Sequence, residues 1–270
     1  MLTILTLKIL LMIVYLSHWD WNLYKSRKDI VLNLEDLNFT AICPEGKYTK
    51  ELSSIYKDWI NWEIERKNTF DIKGIINLKN ILNSLEEDAI VHSFTLRTGI
   101  LYSISNLFLK NNQKGVLSIN GLGYLFSNNL KAKLLKFLLS TFIKISFNKN
   151  FREIIFQNKN DQETFLKYSK YSGKTSLIQG SGIKINNYLK KETYQPKKLK
   201  VIFVSRLLID KGVHEYIQLT RNIKNKNIDF YLAGEIDEGN PNSITNESLN
   251  NIKSEGTLKY VGHINVEKDL

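Results

Sequence analysis

The chain has 270 residues, 43% hydrophobic and 11% aromatic, enough for one large domain or two ordinary ones, each with its own core. A single cysteine, Cys43, excludes an internal disulfide framework and a cysteine-based zinc cluster and fits a reducing cytosol. The formal net charge of +11 is uneven, with no Asp or Glu from Ala89 to Arg152 while Arg97, Lys110, Lys114, Lys131, Lys133, Lys136, Lys144, Lys149 and Arg152 fall there, which leaves nucleic acid, an anionic membrane surface or a phosphorylated substrate as partners.

Met1 to Leu16 is apolar apart from Thr3, Thr6 and Lys8. It is too short to span a bilayer and has no small-residue cleavage site, so Lys8 to Leu16 reads as a first buried parallel strand. A helix over Leu23 to Asp36 and a second strand over Phe39 to Cys43 follow, the latter ended by Pro44 and Gly46. Helices at Ile75 to Leu85, Gly99 to Leu109 and Asn129 to Lys144 then alternate with strands at Ala89 to His92, Gly115 to Ile119 and Glu153 to Phe156. A short helix, Gln162 to Tyr168, leads to a strand at Ser176 to Gln179.

Such alternation predicts an α/β fold: a parallel sheet with helices on both faces and ligands beyond the carboxyl ends of the strands. His18, His92, Asn120, Gly121, Gly123, Ser181 and Gly182 all follow predicted strands, which places them on one rim. A histidine there either bonds a ligand oxygen or is a satisfied structural group. Gly121 and Gly123 allow close backbone approach to a ligand, as turn geometry also would. The helix at 129–144 carries Leu130, Leu134, Leu135, Phe137, Leu138, Phe142 and Ile143 on a broad face with lysines opposite. It suits either a core position or anionic lipid.

The polar stretch Lys190 to Lys198, with Pro196 inside it, reads as a linker. Beyond it, Val201 to Val204 is a short buried strand, Arg206 and Lys211 lie on the loop, and Gly212 opens a helix with apolar residues at Val213, Tyr216, Ile217, Thr220 and Ile223. The next strand runs from Ile228 to Gly234. A helix N-terminus flanked by an arginine and a lysine suits two or more phosphate oxygens, and a diphosphate is the natural guest. Two solvated surface cations on an ordinary loop are the alternative. Glu235-Ile-Asp237-Glu238 has the look of a metal-binding acidic pair, although a solvated loop is commoner.

The string Phe203-Val-Ser-Arg206-Leu-Leu-Ile-Asp-Lys211-Gly212-Val, followed by Phe230-Tyr-Leu-Ala-Gly234-Glu and Tyr260-Val-Gly262, resembles the start of the donor domain of family-4 (group 1) glycosyltransferases. The N-terminal part is similar to the branch that builds bacterial surface polysaccharides such as capsule and lipopolysaccharide. The residues are Ser17-His18-Trp19-Asp20-Trp21 with Arg27, Cys43-Pro44-Glu-Gly46, Val91-His92-Ser-Phe94-Thr, Ser118-Ile-Asn120-Gly121-Leu-Gly123-Tyr-Leu-Phe126, Phe156-Gln-Asn158 and Gly180-Ser181-Gly182.

The resemblance implies a GT-B fold of two Rossmann-like domains facing across a cleft. An acceptor-side domain spans 1–190, a linker 191–198 and part of a donor domain 199–270. It implies a cytoplasmic enzyme, peripheral on the inner face of the plasma membrane through 129–144. The reaction is sugar transfer from a nucleotide sugar to a glycan or lipid-linked acceptor, with retention, no metal and no other cofactor, and nucleic acid is not a partner. Arg206 and Lys211 would hold the diphosphate. Gly234, Gly262, His263, Ser181 and Gly182 would contact nucleotide or sugar, and His18, His92, Asn120, Gly121 and Gly123 would line the acceptor side.

No general base is named by these residues. The family's second donor signature, a spaced pair of glutamates, has no counterpart here, so the chain is expected to be truncated and inactive alone. A nicotinamide-dependent oxidoreductase would want G-x-G-x-x-G where Ser17-His-Trp-Asp-Trp stands. A basic module for membrane or nucleic acid would spread its charge over an exposed face, with no nucleic-acid motif here to support it.

Overall fold

The computed structural model describes residues 12–34, 36–65, 71–107, 109, 115–122, 130–182, 198–237, 240 and 242–264, with only the backbone for 130–139. They fall into two compact units, 1–182 and 183–270.

In the first unit β1 (Met12–Leu16), α1 (Asp20–Asn33), β2 (Asn38–Cys43), α2 (Thr49–Ile55), β3 (Asp58–Asn61), α3 (Ile72–Asn83) and β4 (Ile90–Phe94) come first. They are followed by α4 (Leu96–Leu107), β5 (Gly115–Ile119), α5 (Leu130–Asn150), β6 (Phe151–Phe156), α6 (Lys159–Ser169) and β7 (Lys174–Leu177). The strands form one parallel sheet in the order β3-β2-β1-β4-β5-β6-β7. The chain runs outward from β1 to β3 and then returns to place β4 on the other side of β1. That reversal makes the carboxyl ends of β1 and β4 the topological switch point, where ligands of open α/β sheets bind.

Period-2 alternation along buried parallel strands sends their residues to two cores. Val14, Leu16, Val91, Leu117, Ile119, Ile154 and Phe156 join Leu78 and Leu82 of α3, Leu101 of α4, Phe147 of α5 and Phe165 of α6 in one. Tyr15, Phe39, Ala41, Cys43 and Phe94 pack with Leu23 and Val31 of α1 and Leu52 of α2 in the other. Cys43 is the last residue of β2 and buried, and burial pushes its thiol up to about 12, so it has no nucleophilic role at neutral pH.

The predicted elements recur with shifted ends. β4 runs two residues past its predicted end, and α5 extends to Asn150 rather than Lys144. Ile143 and Phe147 seat the end of α5 in the core and Lys144 is exposed. The side chains of Lys131, Lys133 and Lys136 lie outside the described residues, as do Lys8 to Leu11 of the first predicted strand.

In the second unit β8 (Leu199–Val204), a single 3-10 turn (Ile209–Lys211), α7 (Val213–Asn222), β9 (Ile228–Ala233), α8 (Asn246–Glu255) and β10 (Lys259–Gly262) build a parallel sheet in the order β10-β9-β8. Leu207, Val213, Ile217, Phe230, Leu232, Ile244, Leu249, Ile252 and Leu258 form its core. The linker predicted at 191–198 lies outside the described residues except for Lys198.

Candidate functional site

In the second unit the loop after β8 is zipped to the loop after β9. Ser205 N–H donates to Ala233 O at 3.2 Å, Leu207 N–H to Glu235 O at 3.1 Å, and Ile244 N–H to Leu207 O at 3.0 Å. The approach at the start of this zipper is possible only because residue 234 is glycine. Gly234 has φ +138°, and a Cβ there would stand 1.7 Å from Ser205 O. Gly234 N–H also donates to Gly262 O at 2.8 Å, and the Tyr260 hydroxyl donates to Gly234 O at 2.8 Å. So Arg206, Gly234, Gly262 and His263 share the carboxyl edge of this sheet. His263 Nδ1 lies 3.8 Å from Glu235 Oε2, with both side chains about 70% exposed, a contact worth little in water.

Gly212, at φ +83°, closes the 3-10 turn and starts α7, whose N-terminus has no side-chain cap. Its first N–H groups are a place for an anion, and Arg206 and Lys211, both exposed, stand on the loop leading to it. Arg206 Nη1 donates to Asp237 Oδ2 at 2.7 Å. Asp237 of the acidic stretch is therefore tied to Arg206, a link across the second unit that sequence reading did not anticipate.

In the first unit the carboxyl edge carries His18 just after β1. Its Nδ1 lies 2.9 Å from Thr98 Oγ1 and 3.2 Å from Thr95 Oγ1, and those two hydroxyls are 3.1 Å apart. Thr95 has φ +79°. For a β-branched residue this is a strained conformation, of the kind found at binding sites. It is held by the Thr95 N–H donating to Ser118 O at 2.9 Å and by Gly99 N–H donating to Thr95 O at 3.0 Å. His18, Thr95 and Thr98 thus form a polar cluster at the switch point.

Asn120 and Gly121 follow β5 on the same edge, and a side chain at 121 would meet nothing within 4 Å. Gly123 lies outside the described residues. β7 ends at Leu177, so Ser181 and Gly182 stand farther out than predicted, with Gly180 and Gly182 both at φ +78°.

His92 is corrected: it lies within β4, two residues before the strand ends, not beyond it. Its Nε2 is 2.8 Å from Ser118 Oγ. Burial first, and then the Arg27 charge, lowers its pKa to about 3. Arg27 itself is a core residue, 7% exposed, with its guanidinium 4.3 Å over the Phe94 ring. His92 is half-buried and bonded within the strand, and of the two histidines it is His18 that stands beyond a strand end.

The burial of His92 sets a pH dependence. The fold holds it neutral while the unfolded chain takes up a proton from about pH 6.5 downward. Its contribution is therefore complete above pH 6.5 and is lost as pH falls toward 3, at about 1.4 kcal/mol per pH unit. His92→Gln, which can still bond Ser118, should flatten that component, so urea unfolding at pH 7 and pH 5 should show a smaller loss for the variant. An equal loss in both proteins would contradict a half-buried His92 held neutral by the fold.

No protein-family model and no curated protein matches the chain. Solved structures do. HepE of Anabaena in complex with UDP-glucose superposes with a TM-score of 0.66 at 14% identity over 94% of this chain and 69% of that one. Sucrose-phosphate synthase of Thermosynechococcus elongatus gives 0.67 at 13% identity, over 95% and 71%. A UDP-N-acetylglucosamine 2-epimerase of Rickettsia bellii gives 0.54 at 11%, over 96% and 70%. At such identities the likeness establishes architecture: the chain has the Rossmann-like α/β fold of the GT-B class.

Proposed function

We propose that the chain is a glycosyltransferase that takes its sugar from a nucleotide sugar, and that Arg206 and Lys211 hold the donor diphosphate at the N-terminus of α7. The observation that carries this reading is that the loop leaving β8 carries two exposed cations and runs through an αL glycine into an uncapped helix start. In transfer, negative charge develops on the leaving diphosphate. A guanidinium and an ammonium brought to the dipole end of a helix stabilise it without proton transfer and without a metal. The structural neighbours support a nucleotide-sugar ligand, since HepE is seen with UDP-glucose.

The finer assignment rests on the motifs: family 4, the bacterial polysaccharide branch, a retaining reaction, and a glycan or lipid-linked acceptor. In this reading the His18, Thr95 and Thr98 cluster serves the acceptor side, where its hydroxyls and imidazole match sugar hydroxyls.

Calorimetric titration with UDP, GDP and dTDP, with pyrophosphate as competitor and NAD as the rival ligand, tests the reading. At least one nucleoside diphosphate should bind and be displaced by pyrophosphate. Binding of NAD that pyrophosphate leaves untouched, or no diphosphate binding at all, would refute it.

A further inference from the structure

The cation on which the donor reading depends already has a partner in this structure, and the two groups are unequal. Asp237 is 16% exposed and Arg206 49%. Asp237 sits in a tied turn: its N–H donates to Ser243 Oγ at 3.0 Å, its Oδ2 accepts from Asn240 Nδ2 at 3.3 Å, and Asn240 N–H donates to its carbonyl at 3.0 Å. The aspartate is the fixed member and the arginine the movable one. Their contact is a single bond from Nη1, which engages one of the five donors of a guanidinium.

An exposed pair of this kind is worth no more than about a fivefold preference. A diphosphate offers the same guanidinium two oxygens in a plane, a stronger and more directional match. A carboxylate and a phosphate on one cation also repel each other, so the ligand and Asp237 compete.

We propose that Asp237 is the resident counter-anion of Arg206, that a nucleoside diphosphate binds by taking Arg206 from it, and that the same carboxylate reclaims Arg206 as the diphosphate leaves. The inference rests on the donor-site reading above. It gives Asp237 a role in setting the lifetime of the product complex, a step that often limits turnover.

UDP binding to the 270-residue chain is measured by calorimetry for the wild type, Asp237→Asn, Arg206→Ala and the double variant, with each fold checked by thermal unfolding. Asp237→Asn should tighten UDP, by up to about fivefold, the ceiling an exposed ion pair supplies, and should not tighten it where Arg206 is already alanine. UDP binding to Asp237→Asn that is equal to or weaker than wild type would overturn the proposal. So would equal tightening in the Arg206→Ala background, which would make Asp237 a general surface charge. Arg206→Ala binding UDP as well as wild type would instead sink the donor-site reading itself. Should Asp237→Asn fail to fold, the carboxyl-carbon resonance of Asp237 in the wild type decides. It should move on UDP saturation together with the Arg206 Nε signal, and an unmoved carboxyl beside a shifted arginine contradicts displacement.

Discussion

Replacing Arg206 by alanine is expected to weaken nucleoside diphosphate binding by about 1.5 to 3 kcal/mol, the range for hydrogen bonds to charged groups, or roughly one to two decades in affinity. A larger loss would need a buried pair with a stranded partner. Arg206 is half exposed, and the group it leaves behind is Asp237, which still accepts from Asn240. Lys211→Ala should cost less, about 1 kcal/mol, because an exposed ammonium acts as a point charge without the planar fork. Calorimetry on both variants checks the pair, and unchanged affinity in both would remove the loop after β8 from the donor site.

Gly234→Ala is expected to destabilise the second unit by about 3 to 5 kcal/mol. The added methyl would collide with Ser205 O at 1.7 Å and Ser205 C at 2.9 Å, both backbone atoms in a bonded strand end that cannot swing aside. Relief means opening the zipper between the loops after β8 and β9, and with it the position of Arg206. Thermal unfolding should show a much lower transition for the second unit, and limited proteolysis should cut after Gly182 while the first unit resists. Gly121→Ala, with nothing within 4 Å, is the matched control and should be neutral within about 0.5 kcal/mol. A normal transition for Gly234→Ala would mean that the strand ends do not meet as described.

Most of the sheet could be read from the chain because buried parallel strands are apolar runs. Met12 to Leu16 and Gly115 to Ile119 announce themselves in this way. Val201 to Val204 is an apolar run too, but the expectation that it is buried is corrected: β8 is the last strand in the order β10-β9-β8, none of its residues is buried, and Ile202 and Val204 are exposed. β3 does not announce itself. Its Asp-Trp-Ile-Asn is a short edge strand whose outer residues face water, and α2 before it buries only Leu52. The helix α8 was missed because Leu249 and Ile252 are its sole buried residues, although Thr245 accepting from the Ser248 N–H is a capping signal that was there to be used.

The strand, loop and helix start that carry Arg206, Lys211 and Gly212 were legible since their pattern is local. Thr95 was not. Its positive φ is imposed by the neighbouring strand through Ser118 and by the following helix, and no propensity of threonine foretells it. His92 was misplaced for a related reason, because strand ends are the least certain part of a pattern and two residues decide whether an imidazole faces the rim or the core. The Arg206 to Asp237 pair joins residues 31 apart in sequence, and only the folded chain brings them together.

Amide hydrogen exchange of the chain with and without saturating UDP tests the central claim most directly. Protection should concentrate on the segment from Arg206 to Glu215, where the helix N–H groups and both cations meet the diphosphate, with a smaller change at Gly234 to Asp237. Protection confined to the first unit, or none at a UDP concentration that saturates the calorimetric signal, would contradict a diphosphate site at the start of α7.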